Sequence, residues 1–144
     1  MNSQVCIDAS LVLKLVLNEA DSAKADSLWH SWVTNQVEVI APPLITIEAT
    51  SVLRLSVFRG TITVPESFTA LQTILSLQVR IRTFSDIHRS ALDLANTLNQ
   101  PRAYDTQYLA LALHRKCDYW TADERFYNSA RNHYPRINWL GGLS

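Results

Sequence analysis

Residues Tyr108-Leu109-Ala110-Leu111-Ala112-Leu113 form a run with no polar face. A helix that is apolar all round must be surrounded by other elements, so this run predicts a helix through the middle of the domain. Pro101 stands just before it, where the missing N–H costs a helix nothing. Asp105 then falls in the first turn, where unpaired amides and the helix dipole favour a negative charge. Taken alone, Asp105 reads as a helix-capping residue. The positions of the other acids give it a second reading.

The chain around this helix alternates short β-prone runs with helical ones. Val5-Cys6-Ile7 is the first strand, ended by Asp8, and Ser10 is placed to cap an apolar helix over Leu11 to Leu17. An amphipathic helix follows from Ala23 to Val33, then a strand from Val37 to Ala41 stopped by Pro42-Pro43. Leu44 to Arg59 predicts a long helix closed by Gly60, and Pro65 opens another through Ile74 and Leu75. Val79 to Phe84 predicts a third strand, and Ser85 a cap for a helix from Asp86 to Leu98. After the central helix come a strand at Tyr119-Trp120-Thr121, a helix from Asp123 to Arg131, and a fifth strand at Ile137 to Leu140.

This order predicts an α/β fold. The expected form is a three-layer α/β/α sandwich with a central, mainly parallel sheet of four to five strands, in one domain over residues 1–144. At that length a chain buries roughly 68–70% of its unfolded surface. No apolar run approaches the ~20 residues that span a bilayer, Met1-Asn2-Ser3-Gln4 has no basic leader, and Cys6 and Cys117 form no C-x-x-C pair. Buried thiols in a reducing cytoplasm are expected.

Net charge is zero, from thirteen Lys plus Arg and thirteen Asp plus Glu, which argues against holding nucleic acid by sheer charge. If four of those acids gather around cations, nine remain against thirteen bases, a balance of +4 elsewhere. A modest basic rim is compatible with that.

In parallel sheets, ligands bind beyond the carboxyl ends of the strands. Asp8 ends the first strand and Asp123 follows the fourth by two residues. Glu48 lies on the Leu44 to Arg59 helix in a stripe with Leu44, Val52 and Leu55, at the edge of the buried face. With Asp105, these make four carboxylates that can converge. Carboxylates brought within a few ångströms must take up protons or bind cations. An all-oxygen donor set selects Mg²⁺ or Mn²⁺ over Zn²⁺, and His30, His88, His114 and His133 show no zinc spacing. Such a cation suits phosphate chemistry.

Four segments carry a resemblance: Val5-Cys6-Ile7-Asp8-Ala9-Ser10, Pro43-Leu44-Ile45-Thr46-Ile47-Glu48, Tyr104-Asp105-Thr106-Gln107-Tyr108-Leu109-Ala110-Leu111-Ala112, and Thr121-Ala122-Asp123-Glu124-Arg125-Phe126. In this order and spacing the chain resembles the PIN-domain nucleases, and within them the VapC-type toxins of toxin–antitoxin pairs. The resemblance implies a Mg²⁺- or Mn²⁺-dependent ribonuclease with its acidic site at Asp8, Glu48, Asp105 and Asp123. It further implies a tRNA or rRNA substrate, a small VapB-type antitoxin and a homodimer. Two departures stand out: Gln100-Pro101-Arg102-Ala103 lacks a small hydroxyl residue common in relatives, and Thr106 replaces a frequent alanine.

From spacing and resemblance together, Asp8, Asp105 and Asp123 are assigned to the metal, with Glu48 binding through water or orienting the attacking water. Ser10 and Thr121 are placed to hydrogen-bond those carboxylates; their plainer roles are a helix cap and a strand residue. Of Lys14, Arg54, Arg59, Arg102 and Arg125, Arg102 is favoured for contacting RNA because it adjoins the turn carrying Asp105. Tyr104 and Tyr108 share a helix face, where one could stack on a base and at least one should pack in the core. The alternative function is a catalytically silent PIN-type module that binds RNA or protein. A phosphatase or receiver-type domain needs a downstream lysine after a later strand, and Lys14, Lys24 and Lys116 do not supply it.

Overall fold

The computed structural model describes residues 3–144; the expectation of no basic leader rests partly on Met1 and Asn2, which lie outside them. The sheet contains β1 (Gln4–Ile7), β2 (Glu38–Ala41), β3 (Arg80–Ile81), β4 (Asp118–Thr121) and β5 (Ile137–Trp139). Its order is β3-β2-β1-β4-β5 and every pairing is parallel. The helices are α1 (Ala9–Val16), α2 (Ser22–Thr34), α3 (Leu44–Phe58), α4 (Val64–Ser76), α5 (Ile87–Thr97), α6 (Asp105–Arg115) and α7 (Glu124–Ala130), followed by a short 3₁₀ turn, Leu140–Gly142. The α/β architecture is the expected one. Among the described residues no helix is long and apolar enough to cross a membrane.

The central strands are apolar on both faces because helices cover both sides of the sheet. Val5, Cys6 and Ile7 of β1 and Val39, Ile40 and Ala41 of β2 are all buried. Cys6 and Cys117 are free and buried, as two small hydrophobes. Helix α6 crosses this core with Tyr108 to Ala112 buried, while Leu113, the last residue of the apolar run, is 40% exposed. The helix turns it out past the edge of its packed neighbours.

Four local expectations are corrected. Helix α1 begins at Ala9 with Asp8 as its N-cap, so Ser10 sits inside the first turn instead of capping it. A carboxylate one residue after the strand reaches the Leu11 amide first. Likewise α5 starts at Ile87, with Asp86 and not Ser85 at the cap position. Helix α6 begins at Asp105, four residues beyond Pro101, so the proline does not open it. The third strand keeps only Arg80 and Ile81 of the predicted Val79 to Phe84. It is an edge strand paired with β2 alone, and short edges limit unwanted pairing. Gly60, with φ 76, and the Thr63–Glu66 capping box with Pro65 beside it define the α3–α4 turn.

Candidate active site

Because the strands are parallel, their carboxyl ends lie at one edge of the sheet. Asp8 leaves β1 there and Asp123 follows β4, its neighbour in the sheet. Helix α6 presents Asp105 in its first turn, and α3 presents Glu48 one turn in. The four acids, from four separate elements, line one cleft of about 330 Å³ together with Ser10, Lys14 and Glu19.

Each carboxylate is held differently. Asp8 is 3% exposed. Its Oδ1 accepts from the Ser10 hydroxyl at 2.6 Å and the Leu11 amide at 3.1 Å, and its Oδ2 accepts from the Tyr119 hydroxyl at 2.8 Å. Burial pushes its pKa up, and the hydrogen bonds from the Ser10 and Tyr119 hydroxyls and the Leu11 amide pull against that. Glu48 accepts from the Tyr108 hydroxyl at 2.6 Å; its pKa is raised by burial, with the Asp8 charge adding to it. Asp123 accepts from the Phe126 amide at 3.2 Å and so caps α7.

Among the described residues no hydrogen bond is made to the Asp105 carboxylate. Burial and then the charges of Asp8, Asp123 and Glu48 push its pKa up to about 7, against a weaker pull from Arg125.

Ser10 and Thr121 tie the two strand ends together. Their hydroxyls are 3.2 Å apart, Ser10 accepts from the Ala122 amide at 3.0 Å, and Thr121 accepts from the Asp123 amide at 3.0 Å. Since Ser10 spends its proton on Asp8, Thr121 is the donor between them. Both hydroxyls thus hold the backbone that carries the acids.

Two groups escaped sequence reasoning. Tyr119 and Tyr108 are core residues whose hydroxyls end on Asp8 and Glu48, partners 111 and 60 residues away in the chain, and no local pattern announces that. Arg102 is exposed and lies outside the residues lining the cleft; Lys14 lines it, 3.7 Å from Glu19.

The donor set is all carboxylate oxygen, which fits a hard divalent cation. Among the described residues no three His, Cys, Asp or Glu side chains stand close enough to cage an ion directly.

A parallel α/β domain with carboxylates gathered at the carboxyl edge of its sheet is a scaffold for binding hard cations and phosphate-bearing ligands. The chain belongs to the PIN-domain family, whose sequence pattern matches residues 6–133. No curated protein matches it. Among solved structures it is similar to PAE2754 from Pyrobaculum aerophilum, at 18% identity and a TM-score of 0.66, covering 90% of this chain and 87% of that one. It is similar too to VapC20 of Mycobacterium tuberculosis, described as a sarcin-ricin loop cleaving toxin. There the identity is 17% and the TM-score 0.66, with 87% of this chain and 94% of that one covered. Fold and family are those the four sequence segments pointed to.

Proposed function

We propose that this PIN domain is a ribonuclease that hydrolyses RNA phosphodiesters with Mg²⁺ or Mn²⁺ held by Asp8, Asp105 and Asp123. Glu48 binds through water or orients the attacking water. The observation that carries this reading is that four acids from four elements line one cleft.

A cation bound there supplies a Lewis acid for the phosphoryl and leaving oxygens. The chain's own residues supply position and charge. Asp8 offers the remaining acceptor position of Oδ2, because Oδ1 already accepts two donors. Tyr119 and Tyr108 fix the rotamers of Asp8 and Glu48, and Ser10 and Thr121 fix the strand ends. Lys14 faces the cleft as a cation for a phosphate oxygen, held by Glu19 until RNA arrives.

Structural likeness to VapC20 and the four motifs support a toxin role, with tRNA or rRNA as substrate and a VapB-type antitoxin as partner in the cytoplasm. Phe58, Val64, Phe68 and Leu75 leave an apolar face on α3 and α4, which suits a protein partner or a homodimer.

The test is cleavage of total tRNA and rRNA by the purified protein with Mg²⁺ or Mn²⁺, with EDTA, and by Asp8→Asn. The expected result is cleavage that needs both the metal and Asp8. Full activity in Asp8→Asn overturns the assignment. Absence of both cleavage and metal binding leaves the silent RNA- or protein-binding module.

A further inference from the structure

Two of the acids, Asp8 and Asp123, follow β1 and β4, while the segments that follow β2 and β3 at the same edge carry a different surface. There Pro42 and Pro43, after β2, meet Ile47 of α3, His88 of α5, and Tyr104 and Gln107 at the start of α6, around a groove of about 450 Å³. No carboxylate lines it. Groove and cleft share two walls: Ile47 directly precedes Glu48, and Tyr104 directly precedes Asp105.

The two tyrosines of α6 part company here. Tyr108 is fully buried, with its hydroxyl on Glu48, whereas Tyr104 is 53% exposed. Among the described residues the Tyr104 ring stacks on no other aromatic ring. Ile47, at 66% exposure, adds an open apolar surface, and His88 and Gln107, linked at 3.2 Å, supply hydrogen-bonding groups. A planar ligand with polar edges, attached to a phosphate in the neighbouring cleft, matches this surface. An aromatic face takes any base, because every base has a π-face.

Resting on the ribonuclease reading above, we propose that this groove is a nucleobase subsite: an unpaired base flanking the scissile phosphate stacks on Tyr104, with its polar edge toward His88 and Gln107. RNA then lies along the sheet edge, with phosphate over β1–β4 and base over β2–β3. Single-stranded or flipped-out positions are the substrate class this geometry selects, since a paired base cannot enter.

The experiment is fluorescence anisotropy with labelled single-stranded homopolymer RNAs, one for each base, beside an abasic ribose-phosphate chain of equal length. It is run in Ca²⁺ with wild type, Tyr104→Ala and Tyr104→Phe, each checked by thermal melting. Wild type should bind at least one base-bearing RNA roughly 5- to 150-fold more tightly than the abasic chain, the range of one stacking contact. Tyr104→Ala should close that gap and Tyr104→Phe should keep it.

An unchanged gap in Tyr104→Ala, or equal loss in both variants, overturns the proposal. So does a change confined to self-association in sedimentation or to binding of a protein partner, which would assign the groove to a second chain. A gap that persists without metal-dependent cleavage would sink the nuclease reading and leave the subsite. Cleavage without a gap would do the reverse.

Discussion

Asp8 and Asp105 line the same cleft, and the protein treats them in opposite ways. Around Asp8, three donors from α1 and β4 converge on one carboxylate, so its position is set before any ligand arrives. Around Asp105 the helix start buries the group, brings it close to three other acids and gives it no donor, so burial first and the neighbouring charges second raise its pKa to about 7. One side of the site is built for position and the other holds unrelieved charge. A cation held as proposed would satisfy both at once: it would meet an oxygen already aimed and remove the repulsion that burdens its neighbour.

The harshest way to break this contrast is to remove the prepositioned oxygen. Asp8→Asn keeps a cap for α1, since asparagine caps about as well as aspartate, and should lower metal-dependent cleavage by at least about 100-fold. Cleavage assays with melting curves check both halves of that statement. A sharper cut leaves the acid and removes its donor. Tyr119→Phe should weaken Mn²⁺ binding by roughly 10- to 100-fold in calorimetry, with Tyr108→Phe, whose target is only half-buried, at the lower end.

The burdened side predicts a pH effect in metal-free protein. Between pH 3.8, the ordinary value, and about 7, native Asp105 keeps a proton that the unfolded chain has lost. The fold therefore loses stability as pH rises through that window, by a few kcal/mol at most (~1.4 per pKa unit). Urea melts across that range should show a decline that Asp105→Asn flattens; equal slopes in the two proteins would refute the origin.

The smallest effect lies next door. Thr106, the residue after Asp105, is buried, and among the described residues its hydroxyl has no hydrogen-bond partner. Thr106→Ala should change stability by about 1 kcal/mol or less, in the stabilising direction, because the cost of the orphaned hydroxyl slightly exceeds that of the lost methyl. Chemical denaturation decides the sign.

Much of this was legible in the sequence because it is local. Strands that end in an acid, a helix with no polar face, and Gly60 past a helix end each report on a few neighbouring residues. The order of Asp8, Glu48, Asp105 and Asp123 along the chain was enough to place them on one edge once the sheet was parallel. What stayed hidden is what folding brings from afar. Tyr119 reaches Asp8 because β1 and β4 are adjacent, and Tyr108 on α6 reaches Glu48 on α3 from 60 residues away in the chain. Arg102 adjoins the turn that carries Asp105 but is exposed and does not line the cleft, whereas Lys14 does. The Val79 to Phe84 run had strand composition throughout and shortened to two residues because only one side of it has a partner.

Asp8 and Asp123 are also the residues that close the first turns of α1 and α7. Architecture and chemistry thus share one side chain, and asparagine can take over the first role without the second. Aspartate and asparagine codons differ by a single base. On the metal-holding role proposed for Asp8, a single base change would therefore leave a folded copy of this protein without its cleavage activity.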